Sequence, residues 1–157
     1  MNAAVRKQPA GYHSATPYLT ITGAPAAIDY YRQAFGAVEV MRLADPAGRI
    51  LHAEVRVGDS IIMLHEDTPE WGTRSPKTLG GNTASVLLYV DDVDTTYAAA
   101  IAAGGQAAMP VQDQFYGDRT GSLFDPFGHR WILATHIEDV SPEEISRRAA
   151  AMFALGQ

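Results

Sequence analysis

His52 and Glu54 lie two residues apart in the run ILHAEVRV at 50–57. Alternation makes this run a β-strand, with Leu51, Ala53, Val55 and Val57 on one side and His52, Glu54 and Arg56 on the other. Cα atoms two apart on a strand are separated by about 7 Å, too far for a tight acid–base pair but suited to bracketing a ligand. There the imidazole could move a proton near neutral pH while the carboxylate anchors a polar group. The competing reading is a wetted sheet face on which Glu54 pairs with Arg56 to little energetic effect.

Other residues bear on the same chemistry. His65 ends the strand pattern at 60–65, on the side of Ile61 and Met63. With His52 and Glu54 it would make an unorthodox divalent-metal site of two histidines and one carboxylate; alone it is a rim residue. The stretch QDQFYGDR at 112–119 is richer in aromatic and charged groups than a bare connector requires. As a loop it would close over a cavity, with Phe115 and Tyr116 as walls and Arg119 pairing an anionic group. Alternatively, Asp118 and Arg119 fix the loop itself. Trp71, in a linker rich in Pro, Gly and Ser, would plug a cavity mouth or meet a partner. Asp91, Asp92 and Asp94 precede a helical pattern, where carboxylates cap free N–H groups.

The elements that must position these side chains come in two copies. Strand 16–21 leads to helix 25–35; 69 residues on, strand 85–90 leads to helix 93–103. The same offset carries Gly36 onto Gly105, Gly48 onto Gly117 and Leu64 onto Leu133. Three further strands follow each helix, near 38–43, 50–57 and 60–65, then near 107–111, 121–124 and 130–135. Matching strands, helices and loops in step, without a gap, indicate a duplicated βαβββ unit. The predicted fold class is α+β: modules at 15–66 and 84–136, a linker at 67–83, a mobile lead-in at 1–14 and a helical extension at 137–157. In that extension Ser141-Pro142-Glu143-Glu144 is a capping box with proline at the first helical position. Its apolar face, Ile145, Ala149, Met152 and Phe153, must cover its own chain or a partner.

Each helix must bury its apolar stripe (Ile28, Tyr31 and Phe35; Val93, Tyr97, Ala100 and Ile101) on one sheet face. Trp131 falls on that face and belongs to the core. The other face then carries Thr16, Tyr18 and Thr20; Ile61, Met63 and His65; Ser85, Leu87 and Tyr89; and Arg130, Ile132 and Ala134. Apolar walls with a few convergent polar groups are what a small-molecule site needs. The expected ligand-binding set is Tyr18, His52, Glu54, Met63, His65, Leu87, Tyr89, Tyr116, Arg119 and Ile132, lining one concave cavity.

Composition narrows the function. A formal charge of −6 argues against nonspecific binding to nucleic acid or anionic membranes. The absence of cysteine removes disulfides, thiolate nucleophiles and cysteine-ligated metals. No apolar run is long enough to span a bilayer, and the start MNAAVRKQPAGYHS lacks the apolar stretch of a secretory signal, so a cytoplasmic protein is expected.

The segments YLTI, AIDYYRQAFGA, GRILHAEVRVGDSIIML, DQFYGDRTG and DPFGHRWILATH together resemble the vicinal oxygen chelate superfamily, in particular its PhnB-like branch. That superfamily contains glyoxalase I, bleomycin-resistance proteins and extradiol dioxygenases. The resemblance covers about residues 14–137. It implies paired βαβββ modules forming an open, barrel-like cavity, commonly in a dimer. It also implies where a metal would sit, on the first and last strands of each module. Those positions hold Thr16, Met63, Ser85 and Ile132. None is a histidine, glutamate or glutamine, whereas cations such as Zn, Ni or Fe want imidazole or carboxylate donors.

The leading expectation is therefore a homodimeric binding protein of the bleomycin-resistance type, with no cofactor, that sequesters a small molecule. The alternatives are a lyase, isomerase or dioxygenase with a divalent metal at nonstandard positions, a metal-free acid–base enzyme using His52 and Glu54, and a module whose cavity is vestigial.

Overall fold

The computed structural model describes residues 5–155. Its first helix, α1 (Ala24–Phe35), begins after Gly23 and ends at Gly36, both at positive φ. No side chain of its own caps the N-terminus. Instead the Glu66 carboxylate accepts from the backbone N–H groups of Gly23 (2.6 Å) and Ala24 (2.9 Å), placing negative charge at the positive end of the helix. The second long helix, α3 (Val93–Ala102), is capped by Asp92, which accepts from Thr95 N–H at 3.1 Å as read from the sequence, while Asp94 in its first turn pairs with Arg119.

Two separate four-stranded sheets accompany these helices. The first contains β1 (Tyr18–Ile21), β2 (Val38–Ala44), β3 (Ile50–Val57) and β4 (Ser60–Glu66), in the order β1-β4-β3-β2. The second contains β5 (Ser85–Tyr89), β6 (Gln106–Asp113), β7 (Asp118–Phe124) and β8 (Arg130–His136), in the order β5-β8-β7-β6. In each, the first strand runs parallel to the last and the remaining pairs are antiparallel. This is the tandem βαβββ arrangement, α+β, with no closed barrel: no strand of one sheet is hydrogen-bonded to a strand of the other among the described residues.

The ungapped repeat needs one correction. Tyr18 pairs with Met63 and Leu87 with Ile132, so the outer strand pairs keep the offset of 69. Met63 also pairs with Glu54, however, whereas Ile132 pairs with Ser122, an offset of 68 from Glu54. The cause is loop parity. Val57 and Ser60 flank a two-residue turn, while Phe124 and Arg130 flank five residues. An even and an odd hairpin loop cannot give the same cross-strand pairing, so β7 slips by one. The counterparts of His52 and Glu54 are consequently the hydroxyl residues Thr120 and Ser122, rather than Gly121 and Leu123.

One continuous buried cluster joins both halves, from Ile28, Tyr31, Val55 and Leu64 to Leu123, Trp131 and Leu133. Helices α1 and α3 pack on each other at its centre. Trp131 is fully buried, with its ring 5.2 Å from Tyr31 and 4.6 Å from Phe35. The buried Asp125 carboxylate accepts from the Tyr31 hydroxyl (2.8 Å), the Trp131 indole N–H (3.0 Å) and the backbone N–H groups of Phe127 and His129 (2.9 Å each). Burial and the adjoining Asp125 charge push the Tyr31 phenol well above its usual range, so it remains a donor.

The linker is more ordered than its composition suggests. A 3-10 turn at Pro69–Trp71 precedes the short helix α2 (Pro76–Leu79). Trp71 lies exposed, with the Arg49 guanidinium over its ring at 5.4 Å, and plugs no cavity. Asp67 ties the linker to the first module. Burial pushes its carboxyl up, but hydrogen bonds from Thr78, Ser75 and Thr22 outweigh this and hold it at about 2. A depressed folded-state value gives stability that is present above the ordinary carboxyl value and lost as pH falls towards about 2. Urea midpoints of the wild type and Asp67→Asn are therefore expected to differ at pH 5 and to converge as pH is lowered to 2.

The segment 112–119 is not a covering loop. Strands β6 and β7 extend into it, with Asp113 paired to Arg119, leaving a tight turn at 114–117. Gly117 has φ 100°, and a Cβ there would come within 2.1 Å of the Glu138 carbonyl oxygen, so the turn demands glycine. The last helix, α4 (Pro142–Leu155), abuts this turn through Arg148, which donates to the Phe115 carbonyl at 3.2 Å and pairs with Glu138 at 2.7 Å. Met152 and Phe153 stand exposed on it. Of the lead-in, residues 1–4 lie outside the described residues, and 5–14 form no helix or strand.

Candidate functional site

On the helix-free face of the first sheet four side chains form a connected polar chain. The Tyr18 hydroxyl lies 2.8 Å from His52 Nδ1, and His52 Nε2 lies 3.0 Å from a Glu54 carboxylate oxygen. The other Glu54 oxygen accepts from the Tyr12 hydroxyl. Because a carboxylate only accepts, His52 donates through Nε2–H, and its Nδ1 accepts the Tyr18 proton. The separation expected from backbone spacing is thus closed by the side chains leaning together, and His52 and Glu54 form a direct pair. Glu54 is 6% exposed and pairs with His52 and Tyr12 rather than Arg56. Hydrogen bonds from Tyr12 and then His52 hold its carboxyl below the usual range. Burial, together with the Glu54 charge, raises the Tyr18 phenol.

His65 sits beside this chain, its ring 5.2 Å from Tyr18. Its Nδ1 donates to the Glu66 carbonyl (2.8 Å), and its Nε2 meets the Thr20 hydroxyl (3.1 Å). Both nitrogens are therefore engaged. Among the described residues no three His, Asp or Glu side chains converge as a ligand set. The superfamily metal positions offer hydroxyls, a thioether and hydrocarbon. These donors do not fit a cation of the Zn, Ni or Fe type.

The second sheet presents a different surface. Leu87 and Met109 are about half exposed on its helix-free face, and Ile132 lies between Leu87 and Ser122 in the strand pairing. Tyr89 donates to Asp118 at 2.8 Å, and His136 meets Asp118 at 2.7 Å and Asp139 at 3.0 Å. The hydrogen bond it donates to Asp118, then that to Asp139, raises the His136 imidazole. Tyr116 is on the nearby turn, with its ring against Phe115.

Most of the expected ligand-binding residues gather on these two faces: Tyr18, His52, Glu54, Met63 and His65 on one, Leu87, Tyr89 and Ile132 on the other. Arg119 does not join them. It projects to the opposite side, where Asp94 (2.7 and 2.9 Å) and Asp113 (2.8 Å) hold it in an ion-pair cluster. A cleft of about 530 Å³ runs along the seam where the edge strands β1 and β5 meet, lined by Tyr18 and Thr20 from one module and Ser85, Leu87 and Arg130 from the other. Sequence reasoning missed Tyr12, which lies outside any periodic segment, and passed over Arg130. The usable signal for Arg130 was its place as the one cation among the residues assigned to the second sheet's helix-free face.

These features define a tandem βαβββ protein with half-exposed apolar and hydrogen-bonding side chains on its helix-free faces. The family model of the Glyoxalase/Bleomycin resistance protein/Dioxygenase superfamily matches residues 13–133, and the chain belongs to that superfamily. It is 39% identical over 144 residues to the uncharacterized protein Mb0911c of Mycobacterium bovis, covering 90% of this chain and 93% of the relative. Its fold is similar to that of TioX from Micromonospora sp. ML1, with a TM-score of 0.61 and 27% identity over 82% of this chain and all of the other. It is also similar to a PhnB protein from Bacillus cereus, with a TM-score of 0.61 and 20% identity over 78% of this chain and 99% of the other.

Proposed function

We propose that this protein is a cytoplasmic, homodimeric small-molecule binding protein of the bleomycin-resistance type, in the PhnB-like branch of its superfamily, and that it holds its ligand without a metal. The observation that supports this reading is the lining: Tyr18, Leu87 and Met109 stand half exposed on the helix-free faces, and the superfamily metal positions on the same strands hold hydroxyls, a thioether and hydrocarbon, at Thr16, Met63, Ser85 and Ile132. Exposed apolar side chains on a sheet face also support a second copy completing the site. No helix among the described residues is long and apolar enough to cross a membrane.

A thermal-shift screen of aromatic and polar compounds, with and without Zn²⁺ and Ni²⁺, tests it. A ligand at about a hundred times its Kd adds about 2.7 kcal/mol of stability, so a clear rise in Tm is expected, unaffected by chelator, with the ligand recovered unchanged. Conversion of the ligand, or stabilisation that requires the metal, overturns the proposal. Sedimentation velocity is expected to give a dimer mass.

The Tyr18–His52–Glu54 chain favours one second reading, metal-free acid–base catalysis. Glu54 orients His52, which can take the Tyr18 proton as Tyr18 takes one from a bound molecule. A product and a bell-shaped pH profile would establish it.

A further inference from the structure

Among the described residues Arg130 is a partly buried cation without a counter-charge. It begins β8, in register with Ser85, and its Nη2 reaches only neutral partners, the Ser122 hydroxyl at 3.3 Å and the Met109 sulfur at 3.8 Å. Its Nε is buried and has no hydrogen-bond partner, and no carboxylate pairs with it among the described residues. Arg42, Arg49 and Arg119 each hold a carboxylate, and Arg56, the other strand arginine without one, stands exposed to water, whereas Arg130 is partly buried. A partly desolvated guanidinium without a counter-ion is costly. That cost is offset when a ligand brings the charge.

The surroundings match. The seam cleft is lined by Arg74, His129 and Arg130, and no aspartate or glutamate lines it, although the chain carries a net charge of −6. Leu79, Leu87 and Tyr18 supply apolar surface in the same cleft, and Ser85 supplies a hydroxyl. Its volume, about 530 Å³, lies within the usual range for small-molecule sites. The His129 ring is itself spanned across the seam, with Nε2 3.1 Å from the Thr20 carbonyl of the other module. Tyr18 belongs both to this lining and to the hydrogen-bonded chain with His52 and Glu54.

We propose that this cleft takes a small organic carboxylate, with its anionic end at the Arg130 guanidinium and its apolar body along Leu79, Leu87 and Tyr18. The proposal rests on the small-molecule reading above and names the ligand class. Planar guanidinium matches planar carboxylate, and the Ser85 hydroxyl, which lines the same cleft in register with Arg130, can donate to the same oxygens.

The test uses benzoate, phenylacetate and hexanoate, each against its neutral amide, with inorganic phosphate as a further arm. Binding is read by thermal shift and by the Arg130 Nε–H resonance in ¹⁵N spectra of the whole chain. At least one carboxylate is expected to raise Tm and to move the Arg130 resonance to saturation, with its amide bound about tenfold more weakly or less. Arg130→Gln is expected to lose at least about tenfold in affinity for the acid and Arg130→Lys to retain part of it, while Arg74→Gln loses about two- to threefold. Unliganded Tm and far-UV spectra establish that each variant is folded, and the lysine variant serves if the glutamine one is not. Equal binding of acid and amide, unchanged affinity in Arg130→Gln, binding of phosphate alone, or binding of neutral compounds only would each overturn the carboxylate assignment and leave the small-molecule reading standing. Failure of every compound of either charge would overturn both.

Discussion

Trp131→Ala lowers stability by about 3–5 kcal/mol, the range for emptying a large aromatic site in a core. That is a large share of the 5–15 kcal/mol available to a typical domain. Trp131 has no exposed surface, and its ring fills the space between Tyr31, Phe35 and β8. Truncation also removes one of the donors to the buried Asp125 carboxylate. Trp131→Phe separates the two effects: it keeps most of the packing and loses the N–H, and about 1–2 kcal/mol is expected. Urea unfolding of both variants, and of each combined with Asp125→Asn, gives the coupling between indole and carboxylate. A Trp131→Ala loss under 1 kcal/mol would mean that this residue is not the keystone its burial implies.

Glu54→Leu has the second large effect, and its signature is chemical. The substitution takes the acceptor from both His52 Nε2–H and the Tyr12 hydroxyl. Stranding such donors costs about 1–3 kcal/mol each when they stay buried. In the wild type, long-range ¹H–¹⁵N spectra are expected to find His52 protonated on Nε2 with Nδ1 accepting. In Glu54→Leu that tautomer preference is lost, while Tyr18→Phe leaves it in place and removes only the donor to Nδ1. A wild-type Nδ1–H tautomer would contradict the Tyr18–His52–Glu54 directionality. Should a turnover be found, Tyr18→Phe and His52→Gln are expected to lower kcat by about 10²–10⁴, the usual worth of a general acid or base.

The parts of this structure that follow a period could be read from residues alone. The 69-residue offset, which sets Trp131 on Ile62, puts it on the helix side of its strand, and 3.6-residue stripes locate the two helices. What could not be read arises where periodicity is broken or absent. The odd-length 125–129 loop shifts β7 by one residue, and no strand pattern records that. Arg119 was read into a covering loop because Gly117 and its polar neighbours look like irregular chain; once β7 starts at Asp118, alternation sends Arg119 to the side of Asp94 and Asp113. The His52–Glu54 bond was obscured because Cα spacing says nothing about how two long side chains lean. Tyr12, on irregular chain 42 residues from Glu54, left no local sign of its role.

Asp125 sits in the second module, yet it receives the hydroxyl of Tyr31 from the first, and the Tyr30 hydroxyl donates to the Ala100 carbonyl across the same boundary. A half-length chain cut at the linker would therefore expose to water the surface that α1 turns to α3 and Trp131. A single βαβββ unit would need a partner to cover that surface. Carried on one chain, the two units meet independently of concentration, and their opposite surfaces are free to differ, one bearing imidazoles and the other hydroxyls and a guanidinium.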